Sequence, residues 1–227
     1  MTWTTLTSVD AMDVKRQILS PPEACLVAGI STPRLLTWHT ENLVPEPRDL
    51  TGRGFRMKYN IAQLAHLIAM RVLSDRGVQL SDHHKPLEAT AHLVELVARM
   101  ILGALDDACD APSAEAAMER PQTTIVIANL GDESYRFETF YGGRLLRGVD
   151  DPDGPDMISW MQGEGIGDAI IIAPMALGCA LRIAIEDLVA NRGTPLLRKK
   201  LADHQARFRR RPPQKTKPVR VSKRSRK

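Results

Sequence analysis

His84, Glu88 and His92 recur at every fourth position, a spacing that could bring three metal ligands onto one face of a helix. Neutral imidazoles and carboxylates are good ligands for divalent cations. Pro86, however, is expected to interrupt the helix between the first two residues, and no cysteine lies nearby in the sequence. We therefore interpret the pattern as a solvated polar face and expect neither a metal site nor a cofactor.

Patterns that could support covalent or redox chemistry are incomplete. Cys109 follows Asp106 and Asp107, whose carboxylates would raise the pKa of its thiol and reduce its reactivity. The glycine-rich segment 163–167 does not follow a predicted strand or open a predicted helix, as a dinucleotide phosphate site requires. No serine-nucleophile motif, pair of catalytic carboxylates or cysteine–histidine dyad is recognisable. We therefore expect a protein that is not an enzyme.

The chemistry that the sequence favours is the binding of phosphate groups by cations. Arg53, Arg56 and Lys58 cluster at the tip of a predicted hairpin over residues 44–59, where each could contact one DNA phosphate. Tyr59 ends the returning strand and is expected at the base of this hairpin. The hairpin therefore has the composition of a basic wing.

Two short predicted helices precede this wing and would position it. Ser20 and the two prolines after it indicate a helix start, and Gly29 can end that helix in the left-handed conformation. Ser31 or Thr32 can cap a second helix over residues 32–40, after which Asn42 is suited to a left-handed cap. Two helices, a tight turn and a basic hairpin indicate a winged helix–turn–helix, which binds DNA.

The second helix is expected to enter the major groove, while the wing contacts neighbouring phosphates. The expected DNA-binding residues are Ser31, Thr32, Arg34, Thr37, His39, Arg53, Arg56, Lys58 and Tyr59.

Residues 18–85 resemble the DNA-binding domain of the mercury-resistance regulator (MerR) family of bacterial transcription factors. The resemblance rests on Gly29, Ile30, Ser31, Leu35, Trp38, Leu43, Pro45, Gly54, Phe55, Arg56 and Tyr59, and on a following helix that ends at Gly77. Where the family has Arg-Tyr in its recognition helix, this chain has Leu36 and Thr37, and Arg34 is expected to take over part of that role. The resemblance implies a transcriptional regulator that acts on duplex DNA as a homodimer, with RNA polymerase as a candidate partner.

A connecting helix is predicted over residues 86–108, and its apolar residues alternate between spacings of four and three. These residues are Leu87, Ala91, Val94, Ala98, Ile101 and Leu105. The spacing describes a heptad seam of fewer than three repeats. The seam could form the dimer contact that the resemblance implies, or it could pack within its own subunit.

After a predicted linker over residues 109–122, residues 123–197 are expected to form a small α+β domain. Its predicted elements are strands at residues 123–130, 134–140 and 170–173 and a helix at 174–190. With residues 1–17 as a flexible arm, the whole chain is expected to belong to the α+β class.

The net charge of +4 is divided unevenly along the 227 residues. Residues 198–227 hold 14 Lys and Arg against one acid, a balance of +13 that leaves −9 on residues 1–197. We predict that 198–227 is a disordered basic tail that tethers the protein to DNA, although a solubilising tail is an alternative. Three scattered cysteines, no signal-peptide pattern and no apolar stretch beyond 13 residues favour a cytoplasmic, nucleoid-associated protein without a membrane partner.

Two other functions stay open. Phage excisionases and DNA-packaging subunits use similar winged helices as architectural or assembly factors, and a protein of that kind would bend DNA and assemble beyond a dimer. A protein-interaction or catalytic module in the C-terminal domain would instead keep its activity after removal of residues 1–80.

Overall fold

The computed structural model combines helices with a four-stranded antiparallel sheet and describes residues 14–45, 57–82, 85–120, 122–131, 134–145, 155–166 and 169–209. The α+β class predicted from the sequence is confirmed. Within these ranges, no helix is both long enough and apolar enough to cross a membrane.

The elements follow one another as short helices, one long helix, a sheet and a helical C-terminal part. The helices are α1 (Pro21–Ala28), α2 (Thr32–Thr40), α3 (Ile61–Asp75), α4 (Glu88–Asp110), α5 (Ala114–Met118), α6 (Met157–Gly163), α7 (Pro174–Asn191) and α8 (Pro195–Arg209). The strands are β1 (Ser81–Asp82), β2 (Lys85–Pro86), β3 (Thr123–Gly131), β4 (Ser134–Tyr141), β5 (Arg144–Leu145) and β6 (Ala169–Ile172). The larger sheet has the order β5–β4–β3–β6, and β1 pairs with β2.

Local capping interactions set the bounds of the first three helices, and those at Ser20, Gly29 and Asn42 were predicted. The Glu23 carboxylate accepts hydrogen bonds from the backbone nitrogen of Ser20 at 2.7 Å and from its hydroxyl at 2.8 Å, which fixes the start of α1. Gly29 ends this helix at a φ of +68°, and Asn42 follows α2 at a φ of +56°. The side chain of Asn60 accepts a hydrogen bond from the first turn of α3.

The predicted C-terminal hairpin is confirmed. β3 pairs with β4 along most of its length and with β6 along its other edge, both antiparallel. Ile125 and Ile127 point from β3 into the main core, whereas Val126 packs with Phe140 and Trp160 on the face below α6. The alternation of β3 residues thus buries both faces of the strand.

Helix α4 lies at the centre of the molecule, between α3 and α7. Its seam residues from Val94 to Leu105 are buried in a hydrophobic cluster that also contains Leu64 of α3 and Leu181 of α7. Of the two interpretations left open for the seam, packing within the subunit is the one observed. A surface covered on both sides by its own chain is not free for a second copy, so a dimer of this fold needs another face.

The segment predicted as a linker is packed structure instead. Helix α4 continues to Asp110, and α5 follows, with its first turn closed by a hydrogen bond from the Ala116 nitrogen to the Ser113 hydroxyl at 3.1 Å. Ala111, Ala114 and Ala117 are all buried. Small residues, which resemble linker composition in a sequence, here allow α5 to approach α7 closely.

Residues 198–209 correct the prediction of a disordered tail, because they belong to α8. Leu197 is buried in the main core, and Lys200 forms an ion pair of 2.6 Å with Asp187 of α7. Packing against α7 and the main core thus gives α8 the burial that a segment of such basic composition does not achieve alone. Residues 210–227 lie outside the described part of the chain, as does the predicted arm over residues 1–13.

Candidate nucleic-acid interface

A tight turn joins α1 to α2. Gly29 occupies a left-handed conformation, and a Cβ at this position would collide with the guanidinium of Arg71. Ile30 is buried, and its backbone nitrogen donates to the Cys25 carbonyl at 3.0 Å. The turn therefore requires a glycine for its backbone and an apolar residue for its contact with the core.

Helix α2 is anchored on one side and open on the other. Leu35 and Trp38 are buried, whereas Pro33, Leu36 and Thr37 face solvent. Leu36 is the most exposed of the large residues on this helix, at 56%. The Thr37 hydroxyl donates to the Pro33 carbonyl at 3.1 Å, which leaves its oxygen lone pairs available to an external donor.

Arg34, predicted to contact bases, is held on the α3 side of α2. Its Nη1 lies 2.7 Å from Oδ1 of Asp75, and its guanidinium carbon lies 4.8 Å from the centre of the Trp38 ring. Its side chain is 30% exposed. The backbone nitrogen of Arg34 donates to the Ser31 hydroxyl at 3.1 Å, so Ser31 acts as the predicted helix cap. In this arrangement Arg34 must exchange Asp75 and Trp38 for a base or phosphate before it can contact DNA.

His39 and Tyr59 form a hydrogen-bonded pair behind α2. His39 Nε2 lies 2.6 Å from the Tyr59 hydroxyl, and the Tyr59 ring is buried. Burial raises the pKa of Tyr59 to about 12 and lowers the pKa of His39. Reciprocal backbone hydrogen bonds of 2.8 and 2.9 Å join Tyr59 to Leu19. Tyr59 thus ties the end of the wing segment to the start of α1 and presents no free surface.

Of the other residues predicted to contact DNA, some lie within the described part of the chain and others lie outside it. Lys58 is exposed beside the buried Tyr59. Arg53 and Arg56, with most of the predicted hairpin, lie outside the described residues. Thr32 is exposed and lines a groove that α2 shares with α8.

Helix α8 is the element that sequence reasoning missed at this site. Its His204 Nε2 lies 2.9 Å from the Ile30 carbonyl in the helix–turn–helix turn. The groove between α8 and α2 has a volume of about 360 Å³ and is lined by Thr32, Pro33, Leu36, His204, Gln205 and Phe208. A signal existed: Leu197, Leu201, His204 and Phe208 recur at spacings of four, three and four, which is typical of a docking face.

A second contact holds the C-terminal part against the start of α1. Arg192 donates to Glu23 at 3.1 Å and to Gln17 and the Ile18 carbonyl at 3.2 Å each. Burial raises the pKa of Glu23, but the hydrogen bonds from Ser20 and the charge of Arg192 outweigh it, so the pKa lies below its ordinary value. The Glu23 carboxylate therefore caps α1 and also binds Arg192, which lies in the connection between α7 and α8.

The cysteines and the described residues of the His/Glu pattern lie in different surroundings: the first are buried and the second exposed. Cys25, Cys109 and Cys179 are buried and unpaired, and burial raises the pKa of each thiol. Within the described ranges, no group of His, Cys, Asp and Glu could hold a metal ion. Glu88 and His92 are exposed on α4, and residues 83–84 lie outside those ranges.

No protein-family model matches the chain, and no curated protein matches its sequence. The assignment of a function therefore depends on the geometry of α1, α2 and α8 and on the chemistry of their exposed side chains.

Proposed function

We propose that this protein binds duplex DNA through its helix–turn–helix and acts as a non-catalytic transcriptional regulator resembling the MerR family. The observation that carries the proposal is the packing of α2. Leu35 and Trp38 fix the helix to the core, while Pro33, Leu36, Thr37 and Thr40 are exposed. A short helix held in this way can enter a major groove without losing its own packing.

The exposed face of α2 suits neutral contacts with base edges. The Thr37 and Thr40 hydroxyls both donate to carbonyls of their own helix, at 3.1 and 3.0 Å, and keep acceptor capacity for the amino groups of adenine or cytosine. Leu36 offers an apolar surface that fits the methyl group of thymine. Cations for the phosphates would come from Lys58 and the rest of the wing, and the basic residues 210–227 would add a nonspecific tether.

The test begins with selection of bound sequences from a random 30-base-pair duplex library by the full-length protein. On the selected site, Leu36→Ala is expected to lower affinity about five- to tenfold, because it removes an apolar base contact. Ile183→Ala, a truncation at a comparably exposed residue of α7, is the matched control and leaves affinity unchanged. If no sequence is enriched and no duplex is bound, the proposal is wrong.

A second candidate is an architectural DNA-binding protein of a phage or mobile element, comparable to an excisionase or a DNA-packaging subunit. Internal packing of the α4 seam favours it over a regulator that dimerises through that helix. Fluorescence measurement of DNA bending, combined with the mass of the complex, separates the two. A bent duplex that carries more than two copies of the protein favours the architectural role. A duplex that carries two copies, and that is straight or is distorted only at a promoter, favours the regulator.

The remaining expectations belong to the regulator proposal. A homodimer would bring two α2 helices to a pseudo-palindromic site, and RNA polymerase would be a partner at promoters. Both imply a cytoplasmic, nucleoid-associated protein. Crosslinking the protein to chromosomal DNA and mapping the bound positions tests all of these together, because enrichment at promoters is expected only of a regulator.

A further inference from the structure

Helix α8 is fixed beside the recognition helix on the flank opposite Arg34. Leu36 lines the groove shared with α8, and it lies two residues, or about 200° around the helix axis, from Arg34. Three contacts hold α8 in place: Leu197 in the core, His204 on the Ile30 carbonyl and Lys200 on Asp187. The position of this basic helix relative to α2 is therefore set by packing.

One face of α8 carries both a residue of this groove and an exposed arginine. Gln205 lines the groove beside Leu36, and Arg198 lies seven residues earlier, which is two helical turns along the same face. Arg198 is exposed and forms no ion pair with any residue that the structure describes. An exposed cation thus lies on the Gln205 face of α8, about 10 Å along the helix axis from the groove.

Arg207 marks the opposite side of the same helix. It lies nine residues after Arg198, which corresponds to half a turn around the axis. It is also exposed and without an ion pair among the described residues. The chain thus provides two arginines that match in helix, charge and exposure and differ in the direction they face.

We propose that α8 is a third DNA-contacting element and that Arg198 binds a phosphate of the strand flanking the groove entered by α2. The inference rests on the proposed function and adds to it a fixed phosphate contact outside the wing. Charge complementarity supports DNA as the occupant, because α2 exposes neutral side chains for base edges and the Gln205 face of α8 exposes a cation for a phosphate. Arg198 is a binding residue, and His204 is a positioning residue that acts through the docking of α8.

The experiment measures affinity for the selected duplex at several salt concentrations with full-length wild type, Arg198→Ala and Arg207→Ala. Loss of one phosphate contact reduces the slope of log affinity against log salt by about 0.9. The wild-type advantage over R198A is therefore expected to shrink about 3.5-fold when salt rises from roughly 50 to 200 mM. R207A, with the same change in net charge, is expected to keep the wild-type slope.

A third variant separates a fixed helix from a loose charged segment. His204→Ala removes the bond to the Ile30 carbonyl without changing the exposed arginines, and it is expected to weaken DNA binding severalfold while the thermal midpoint shows that the chain remains folded. If R198A and R207A reduce the slope equally, or if R198A strengthens binding because α8 obstructs α2, this inference is wrong while the proposed function stands. If wild type binds no duplex, both are overturned.

Discussion

Gly178 on α7 is the position where a single added carbon should damage the fold most clearly. A Cβ there would lie 2.7 Å from the backbone carbon of Ala104 and 2.7 Å from the backbone nitrogen of Leu105, both in α4. Backbone atoms cannot rotate away as a side chain can. The two helices would have to separate by about 0.7 Å to restore ordinary contact, and this interface joins the helix–turn–helix side of the core to the C-terminal side.

The expected cost of Gly178→Ala follows from two opposing effects. Replacement of glycine by alanine in a helix interior stabilises by about 1 kcal/mol. Overpacking destabilises by about 1–3 kcal/mol, and contact with backbone atoms puts this position at the upper end, about 3 kcal/mol. The free energy of unfolding should therefore fall by about 2 kcal/mol, which corresponds to roughly 4–8 °C in thermal midpoint for a chain of this size.

Gly103 provides the matched control, because it is a helical glycine on α4 where an added Cβ would meet no neighbouring atom of the described residues within 4 Å. Gly103→Ala should stabilise by about 0.5–1 kcal/mol through helix propensity alone. Urea unfolding of both variants, followed by far-ultraviolet circular dichroism, measures the difference. Equal stability of G178A and G103A would refute the close approach of α4 and α7.

Two further predictions concern the neighbourhood of α2. Arg34→Ala should weaken binding to the selected site more than binding to random duplex, and it should cost about 1 kcal/mol or less of stability, because the Asp75 pair is partly exposed; equal loss on both duplexes would contradict a base-contacting role. Stability should also decline as pH falls below about 6.5, because burial lowers the folded-state pKa of His39 and His66, so that the unfolded chain takes up protons first. The double variant His39→Gln, His66→Gln should flatten this decline in urea titrations between roughly pH 7 and pH 5, and an unchanged pH dependence would reject the assignment.

The elements best predicted from the sequence are those whose limits are set within a few residues. Ser20, Gly29 and Asn42 act through caps and backbone conformation, so their meaning does not depend on distant contacts. The β3–β4 hairpin was predictable for the same reason, since its turn lies between two adjacent strands. The inward side of α2 was only partly predictable, because Leu35 and Trp38 are buried whereas the apolar Leu36 between them is 56% exposed.

Contacts between distant parts of the chain could not be predicted. Arg34 pairs with Asp75 across 41 residues, and His204 reaches Ile30 across 174 residues. The heptad seam on α4 showed that one face is apolar but not whether its partner is the same chain or a second copy. Residues 198–209 illustrate the same limit. Their basic composition by itself indicates disorder, and only the tertiary structure reveals the surface against which they pack.

The sequence by itself therefore determined the limits and caps of α1 and α2, because these depend on backbone conformation and on residues that are neighbours along the chain. The tertiary structure alone decided that Arg34 is held by Asp75, that the α4 seam is internal and that α8 lies beside α2. Each of these depends on which surfaces meet, and the free energy of such a contact comes from burial and pairing between segments whose proximity no local pattern encodes.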